Sequence, residues 1–419
     1  MKEALANTPE DATREHAGEM RYIARQPILD QRGHLYGYSL LFDTGSDGVI
    51  GGKDREAART ILDDVVLFGL ERLTGGLPAF IRCTSEALSD QLVAVLPAAS
   101  TVLCIPESVK LSSFLLDACR NLKNAGFRLA LADFTWSPEP HPLLELVDYV
   151  KVDLNRLDAL GREKLRQQLH GLKVVMVADR VDTQEGYRAA CEDGFTLFQG
   201  YYFCHPELIQ NAKIPANRLF HFEILRQLQK ETLDLKKLCP LVMRDASLVL
   251  RLLRLVNSPV CALRNEVNSV ESAIIMLGEN TFRRVANLAI LREINAEQPA
   301  ELLHMALVRA RFCELSASHA NLNPNEQYLL GMLSLLPAML RYPMEKLAPE
   351  LPLRPEIRQV LLGEATPERS LLAWAEAHER NQPSECYTIS KTYGLSEQKL
   401  NQFFVDAVMW DMATPRVTA

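Results

Sequence analysis

The sequence predicts two domains of different fold class, a (β/α)₈ barrel followed by an all-helical domain. Strand-like and helix-like segments alternate from Tyr22 to about Tyr202, which is typical of a parallel sheet with crossover helices. After Pro206 the strand-like segments disappear, and amphipathic helices follow one another with short polar joints. The chain has 419 residues, of which 47% are hydrophobic, and this is enough to bury two cores of ordinary size.

The strands of the first domain are predicted from short β-branched or apolar runs bounded by turn residues. The eight candidates are Tyr22–Pro27, Leu35–Phe42, Ala79–Thr84, Thr101–Ile105, Arg128–Phe134, Val147–Asp153, Lys173–Ala178 and Thr196–Gly200. Helices are predicted between them at Arg55–Leu73, Ser85–Leu96, Leu111–Ala125, Asn155–Leu169 and Thr183–Glu192. Eight parallel strands that alternate with helices favour a closed barrel.

The first two strands are an exception to the parallel pattern. Only the segment from Asp30 to His34 separates them, and it is too short for a crossover helix. We therefore expect them to form an antiparallel hairpin. On this pattern, residues 1–20 form a flexible leader, 21–208 the barrel and 209–419 the helical domain.

The helical domain is predicted from apolar periodicity and from capping residues. Asp245 is expected to cap the helix that carries Leu248 and Leu252, and Asn257 and Ser258 to cap its end before Pro259. Further helices are predicted at Val270–Leu277, Asn280–Leu291, Pro299–Ala320, Pro324–Leu340, Pro355–Leu362, Pro367–Arg380 and Ser396–Met412. The segment Pro343–Pro355 is expected to be an irregular connection.

Composition and charge exclude several classes of protein. The net charge of −7 argues against general nucleic-acid binding. No apolar run approaches the roughly 18 to 20 residues that span a bilayer, and the polar N-terminus resembles neither a signal nor a transit peptide. The nine cysteines include no C-x-x-C pair, which favours reduced thiols over disulfides or a zinc site. These features predict a cytoplasmic protein without membrane contact.

Short motifs give each domain a resemblance to a known family. In the barrel they are Ala24-Arg25-Gln26-Pro27-Ile28, Tyr149-Val150-Lys151-Val152-Asp153 and Phe198-Gln199-Gly200-Tyr201-Tyr202-Phe203. In the helical domain they are Leu253-Arg254-Leu255-Val256-Asn257-Ser258-Pro259 and Ser272-Ala273-Ile274-Ile275-Met276-Leu277-Gly278. The barrel resembles the EAL family of cyclic di-GMP phosphodiesterases, in which two metal ions activate water. The helical domain resembles the HDOD module, a relative of the HD phosphohydrolases that lacks their metal ligands.

The resemblance implies metal ligands at the C-terminal ends of the strands, where hard oxygen atoms fix Mg²⁺ or Mn²⁺. Ser39 stands for the glutamate of the naming motif, Arg82 for an asparagine, Cys104 for a glutamate and Ala132 for one of two adjacent aspartates. Only Asp133 remains of that pair. A guanidinium repels a metal ion, and a thiol is a poor ligand for a hard one. We expect no metal and no cofactor.

The other positions of this pocket hold polar residues. Glu107, Lys151 and Gln199 match the family, whereas Asp179 and Asp182 stand where it has glutamates. We expect Glu107, Asp133, Lys151 and Gln199 to hydrogen-bond one another in the barrel mouth. The arginine that grips a phosphate in active members falls at Asp43, or at Thr44 with a gap of one residue, which disfavours cyclic di-GMP binding.

The helical domain lacks the residues of HD phosphohydrolase chemistry. The family's Gly-Leu-Leu-His-Asp pattern corresponds to Gly331-Met332-Leu333-Ser334-Leu335, and the chain contains no His-Asp dipeptide. His304, His319 and His378 have no paired ligand spacing and are interpreted as surface or capping residues. Six arginines, Arg251, Arg254, Arg264, Arg283, Arg284 and Arg292, lie among acidic residues, which favours a solvated face over a nucleic-acid site.

One loop leaves two interpretations open. Trp136 lies in the rebuilt segment between the fifth and sixth strands. It is either an exposed anchor for a partner or an inward lid over the altered pocket.

The leading functional hypothesis is a catalytically inactive signalling scaffold that contacts another signalling protein in cyclic di-GMP regulation. The alternative is a receptor that binds cyclic di-GMP without cleaving it. A third hypothesis, an active phosphodiesterase, requires metal capture by substitutes such as Asp179 and Asp182. A homodimer fits the sequence, but no residue pattern specifies one.

Overall fold

The computed structural model describes residues 22–43, 69–84, 87–88, 92–137, 139, 141–204, 216–230, 232–258, 261, 267–351 and 353–413. The predicted leader, residues 1–20, lies outside these ranges. So do most of the predicted helix Arg55–Leu73, part of the predicted helix Ser85–Leu96, Thr44 and Arg264. The side chains of residues 22–24, 41–43, 92 and 216–218 are also outside the description.

Eight strands close into a barrel in sequence order, as predicted. They are β1 (Tyr22–Asp30), β2 (Leu35–Asp43), β3 (Ala79–Arg82), β4 (Thr101–Pro106), β5 (Arg128–Ala132), β6 (Tyr149–Asp153), β7 (Val175–Asp179) and β8 (Leu197–Gln199). Strand β1 is antiparallel to both β2 and β8, and the other neighbours pair in parallel. The predicted antiparallel hairpin is confirmed.

The direction of β1 fixes which end of the barrel each turn occupies. Its residue Ile28 pairs with Gln199, and Asp30 pairs with Leu197 at the beginning of β8. The β1–β2 turn therefore lies at the end where the parallel strands begin. The side chains at the opposite, C-terminal ends of the strands form the barrel mouth, the usual place for a site in this architecture.

Short helices surround the barrel, and a helical domain follows it. The described barrel helices are α1 (Leu70–Thr74), α2 (Ser113–Asn124), α3 (Ala159–Leu169) and α4 (Gln184–Glu192). The helical domain contains α5 (Ala216–Leu228), α6 (Leu235–Val242), α7 (Ala246–Val256), α8 (Val270–Ile294), α9 (Ala300–Ala317), α10 (Pro324–Leu333), α11 (Leu336–Leu340), α12 (Met344–Leu347), α13 (Pro355–Leu361), α14 (Ser370–Glu379), α15 (Pro383–Tyr393) and α16 (Glu397–Ala413). No described helix combines the length and apolar character that a bilayer crossing needs.

Capping residues of the helical domain act as the sequence indicates. The Asp245 carboxylate accepts a hydrogen bond from the Leu248 N–H at 3.0 Å. The Asn257 side chain bonds both backbone groups of Val267, at 2.8 and 2.9 Å, and so ties the end of α7 to the following loop. Gly278, at φ 73°, interrupts α8 where the sequence separates two helices.

Several predicted boundaries in the helical domain are wrong. The helix predicted over Pro324–Leu340 breaks into α10 and α11, because the C-cap Ser334 bonds back to Gly331 and the chain restarts at Leu335. The connection Pro343–Pro355 contains the single helical turn of α12. Helices α6 and α15 were not predicted, and α6 contains Pro240, a residue that normally argues against a helix.

Buried charged side chains join the barrel to the helical domain. The Tyr38 hydroxyl of β2 donates to Glu301 of α9 at 3.1 Å. Arg25 of β1 lies 3.7 Å from the Asp411 carboxylate of α16, and its guanidinium stacks 4.7 Å from the Tyr38 ring centroid. Burial raises the pKa of Glu301. These groups require partners across the interface because isolated buried charges are costly.

Candidate ligand site at the barrel mouth

A cavity of about 530 Å³ opens at the C-terminal ends of the strands. The predicted pocket residues that line it are Ser39, Arg82, Cys104, Ala132, Asp133, Lys151, Asp179, Asp182 and Gln199. They converge because parallel strands bring their ends to the same face of a barrel. The cavity volume falls within the usual range of small-molecule sites.

Of the two remaining predicted residues, Glu107 does not line the cavity in the described structure, and the position of the Asp43 side chain is not described. Glu107 follows β4 and accepts hydrogen bonds from the N–H and hydroxyl of Thr135, at 3.2 and 3.1 Å. It therefore supports the loop after β5. Asp43 is the last residue of β2 and pairs with Tyr22, but its side chain lies outside the described part of the chain.

Ion pairs occupy two of the three aspartates that line the cavity. Arg82 Nη2 lies 2.5 Å from Asp133 Oδ2, and Lys151 Nζ lies 3.0 Å from Asp179 Oδ2. Asp133 has φ 57°, a left-handed conformation that aspartate tolerates better than most residues. The substituted Arg82 thus neutralises the one aspartate that remains of the predicted pair.

The expected hydrogen-bond cluster of Glu107, Asp133, Lys151 and Gln199 is wrong. The first three bond to Thr135, Arg82 and Asp179, respectively. Gln199 Nε2 instead donates to Gln26 Oε1 at 2.6 Å. Each of the four residues therefore bonds a residue outside the expected cluster.

Cys104 presents a neutral thiol to the cavity. Burial raises its pKa to about 11, even though Lys151 and Arg82 act in the opposite direction. Its side chain is almost fully buried. At neutral pH the thiolate, which is the metal-binding form, is therefore scarce.

The described residues do not fit a two-metal site. Mg²⁺ and Mn²⁺ need several oxygen ligands whose negative charge is not already balanced by another cation. In the described ranges, no group of three or more His, Cys, Asp or Glu side chains is placed to hold a metal ion. The charges of Asp133 and Asp179 are already balanced by Arg82 and Lys151.

Close backbone packing fixes the wall formed by β8 and the loop after β7. The Asp182 carboxylate accepts the N–H of Tyr201 at 3.2 Å. Gly200 has φ 148°, and a Cβ added there would lie 2.2 Å from the Val181 carbonyl oxygen. Only glycine fits this position, which explains its place within the predicted motif.

The helical domain also lines the cavity, which sequence reasoning missed. Arg380, Asn381 and Gln382, the turn between α14 and α15, complete the lining. Asn381 has φ 55°, and the Gln382 N–H donates to the Ala377 carbonyl at 2.9 Å, as in a Schellman cap. Asparagine followed by a proline after a helix indicates such a turn, but local sequence gives no sign of where it packs.

Hydrogen bonds of Glu379 anchor the turn from Arg380 to Gln382, which we call the cavity turn. The Glu379 carbonyl, just before it, accepts Gln26 Nε2 of β1 at 3.2 Å. The Glu379 carboxylate accepts two nitrogens of Arg309, at 3.0 and 2.7 Å. Burial lowers the pKa of Arg309, but the Glu379 charge outweighs this effect and raises it.

Trp136 does not line the cavity. Its ring is 36% exposed, and Lys164 Nζ lies 4.6 Å from the ring centroid. This position does not correspond to an inward plug.

Several histidines and arginines of the helical domain have structural partners. His319 accepts the Ser396 N–H at 2.9 Å as a cap, whereas His304 bonds Asp411 at 3.0 Å. His378 is 1% exposed beside Trp374, so its assignment as a surface or capping residue is wrong. The arginine pairs are Arg251–Glu293, Arg283–Glu279 and Arg284–Glu314.

Comparison with known proteins places both domains. The family model described as the EAL domain matches residues 77–206, and that of the HDOD domain matches residues 214–348. The uncharacterized protein YuxH of Bacillus subtilis is 28% identical over 400 residues, which cover 93% of this chain and 97% of YuxH. The cyclic di-GMP phosphodiesterase CdgJ of Vibrio cholerae is 29% identical over 406 residues, covering 94% of this chain and 93% of CdgJ.

Solved structures resemble only part of the chain. Klebsiella pneumoniae BlrP1, in a manganese and cyclic di-GMP complex, is 20% identical, with a TM-score of 0.36 over 45% of this chain and 56% of that one. A similarity this low says nothing about function. The two family matches and the closed barrel followed by helices agree with one another. The chain is therefore a two-domain protein that combines an EAL domain with an HDOD domain.

Proposed function

We propose that this chain is a non-hydrolysing cytoplasmic scaffold in bacterial cyclic di-GMP regulation, which acts through contact with another signalling protein. The observation that carries the proposal is the pairing of Asp133 with Arg82. This contact places a cation that the family pattern lacks beside the one carboxylate that remains of the predicted aspartate pair.

The attraction of this site for a metal ion is weak. Asp133 and Asp179 each lie beside a cation, so the repulsion between that cation and a metal ion largely cancels the attraction of the carboxylate. Cys104 is a neutral thiol and Ala132 has no donor atom, so neither replaces a lost oxygen ligand.

The role in cyclic di-GMP regulation is supported by the two domains and by the relatives. The name of CdgJ assigns phosphodiesterase activity to that protein, and at 29% identity it supports the same regulatory context for this chain. The EAL match begins at residue 77, after β2, so it excludes the strand that holds Ser39.

Contact with another protein is supported by the surface of the helical domain. Ile275 and Met276 are adjacent in α8 and expose 75% and 47% of their surface. Exposed apolar side chains that are neighbours in the chain provide area for a partner.

A metal titration tests the part of the proposal that says the chain does not hydrolyse its ligand. We expect no saturable heat when Mn²⁺ is added to the full chain, and the same result for Asp133→Asn. Saturable binding that Asp133→Asn abolishes would contradict the proposal. In cells, Asp133→Asn should preserve the phenotype that the wild-type chain restores, because a scaffold does not use this carboxylate.

A second candidate function is a receptor that binds cyclic di-GMP without cleaving it. The cavity of about 530 Å³ between the two domains favours it, since a scaffold alone does not require such a space. A titration with the dinucleotide in the presence of a chelator separates the two candidates.

A further inference from the structure

We infer that the cavity is a two-domain site for a phosphate-bearing ligand, and that Arg380 of the helical domain binds the ligand's negative charge. The inference rests on the second candidate function, because it names a further binding residue of the same cavity. It adds a residue that lies outside the barrel.

Arg380 differs from the other cations of the cavity. Arg82, Lys151 and Arg180 lie 2.5, 3.0 and 3.4 Å from the carboxylates of Asp133, Asp179 and Asp153, respectively. Arg380 is exposed and lines the cavity, and its guanidinium has no hydrogen bond or ion pair with any described residue. A guanidinium in this state is available for bidentate binding of a phosphate.

The backbone that carries Arg380 is already ordered. The cavity turn is closed by the Gln382 and Asn381 N–H bonds to Ala377 and His378, at 2.9 and 3.0 Å. Pro383 then begins α15. A ligand that binds Arg380 therefore has to immobilise one side chain rather than a loop, which lowers the entropic cost of binding.

A buried acceptor in the cavity wall also lacks a partner. Gln199 is 3% exposed, and its Oε1 atom makes no hydrogen bond within the described structure. Such a group is costly to leave unsatisfied. Asp182 adds a second acceptor on the same wall. These two groups call for N–H or O–H donors on the ligand.

A dinucleotide, the ligand class of the second candidate function, meets these requirements together. It carries negative charge for Arg380 and N–H and O–H donors for Gln199 and Asp182. Free phosphate carries negative charge and O–H groups but no N–H donor. A linear dinucleotide meets the same requirements and differs from a cyclic one in shape and charge.

Calorimetry on the full chain with EDTA present tests the inference. The probes are cyclic di-GMP, linear pGpG and inorganic phosphate, each titrated into wild type, Arg380→Gln and Arg32→Gln. Arg32 is an exposed arginine in the β1–β2 turn, at the opposite end of the barrel, and serves as the matched control. We expect at least one dinucleotide to bind and Arg380→Gln to weaken it about tenfold to hundredfold, the value of a charge-assisted hydrogen bond. Arg32→Gln should have no effect.

Two results would overturn the inference: none of the three probes binds wild type, or Arg380→Gln binds as tightly as wild type. Preference for pGpG or for the cyclic form identifies the ligand, while binding of phosphate alone contradicts the role of Gln199 and Asp182. Analysis of the same samples for cleaved product after addition of Mn²⁺ tests the non-hydrolysing function separately from the Arg380 site. Cleaved product would refute the non-hydrolysing function and leave the Arg380 site intact.

Discussion

Replacement of Arg309 by methionine should strongly destabilise the helical domain. Arg309 and Glu379 are each 6% exposed, and the guanidinium makes two bonds to the carboxylate and one to the Ser334 hydroxyl. Arg309→Met leaves the Glu379 charge buried without its main partner. Loss of one member of a buried pair costs about 3 to 5 kcal/mol of unfolding free energy. Glu376 lies 3.6 Å from Arg309 and also bonds Arg369, so it keeps a partner when Arg309 is replaced.

The double variant Arg309→Met with Glu379→Met provides the matched comparison. An apolar pair of similar volume often replaces a buried ion pair at little net cost, so the double variant should be more stable than Arg309→Met. Urea unfolding followed by tryptophan fluorescence measures both. A Trp136→Phe background restricts the signal to Trp374 and Trp410, which lie in the helical domain.

The comparison has a clear negative outcome. If Arg309→Met costs less than about 1 kcal/mol, the pair does not carry the predicted electrostatic energy. If the double variant is less stable than Arg309→Met, the loss arises from packing rather than from an unpaired charge. Either result would also weaken the argument that Glu379 holds the cavity turn in place.

Three further predictions concern single positions. Because the pKa of Cys104 is raised to about 11, its alkylation should be slow at pH 7.5 and accelerate as the pH rises toward 11. Peptide-resolved mass spectrometry measures the rate, and fast labelling at pH 7.5 would contradict the burial of this thiol. Gly200→Ala should lower the melting temperature much more than Gly171→Ala. The Cβ added at Gly200 would meet the backbone of Val181, whereas a Cβ added at Gly171 would meet nothing within 4 Å, so equal losses would refute the steric argument. Asn257→Ala should cost about 1 to 3 kcal/mol in urea unfolding, since it leaves two backbone groups without partners, and a cost near zero would show that water replaces the amide.

The barrel could be predicted because local signals and strand geometry point to the same answer. A short turn between the first strands allows only a hairpin, and β1 indeed pairs with both neighbours in the antiparallel direction. The resemblance to the EAL family placed Arg82, Cys104 and Asp133 at strand ends around one pocket, and they do line one cavity.

Partners could not be predicted in the same way. The hydrogen bond from Gln199 to Gln26 and the ion pair of Arg82 with Asp133 depend on side-chain reach across the barrel. The prediction that the family-matching residues bond one another failed because it ignored the substituted side chains between them. Arg82 stands where the family has a metal-binding asparagine, and it also pairs with Asp133.

The contribution of the helical domain was also beyond local patterns. Arg380 ends a predicted helix, but its position at the barrel mouth depends on how α14 packs against β1, through residues more than 350 positions apart in the chain. Helix α6 was missed because Pro240 contradicts helical propensity, and tertiary packing of Leu238 and Val242 overrides it.

The central claim, that this EAL barrel does not hydrolyse cyclic di-GMP, is tested most directly by a turnover assay. The full chain is incubated with cyclic di-GMP and either Mg²⁺ or Mn²⁺, and the products are separated by chromatography, with CdgJ as a positive control. The paired carboxylates of the barrel mouth predict no product above the blank without enzyme. Metal-dependent product that Asp133→Ala abolishes would contradict this account.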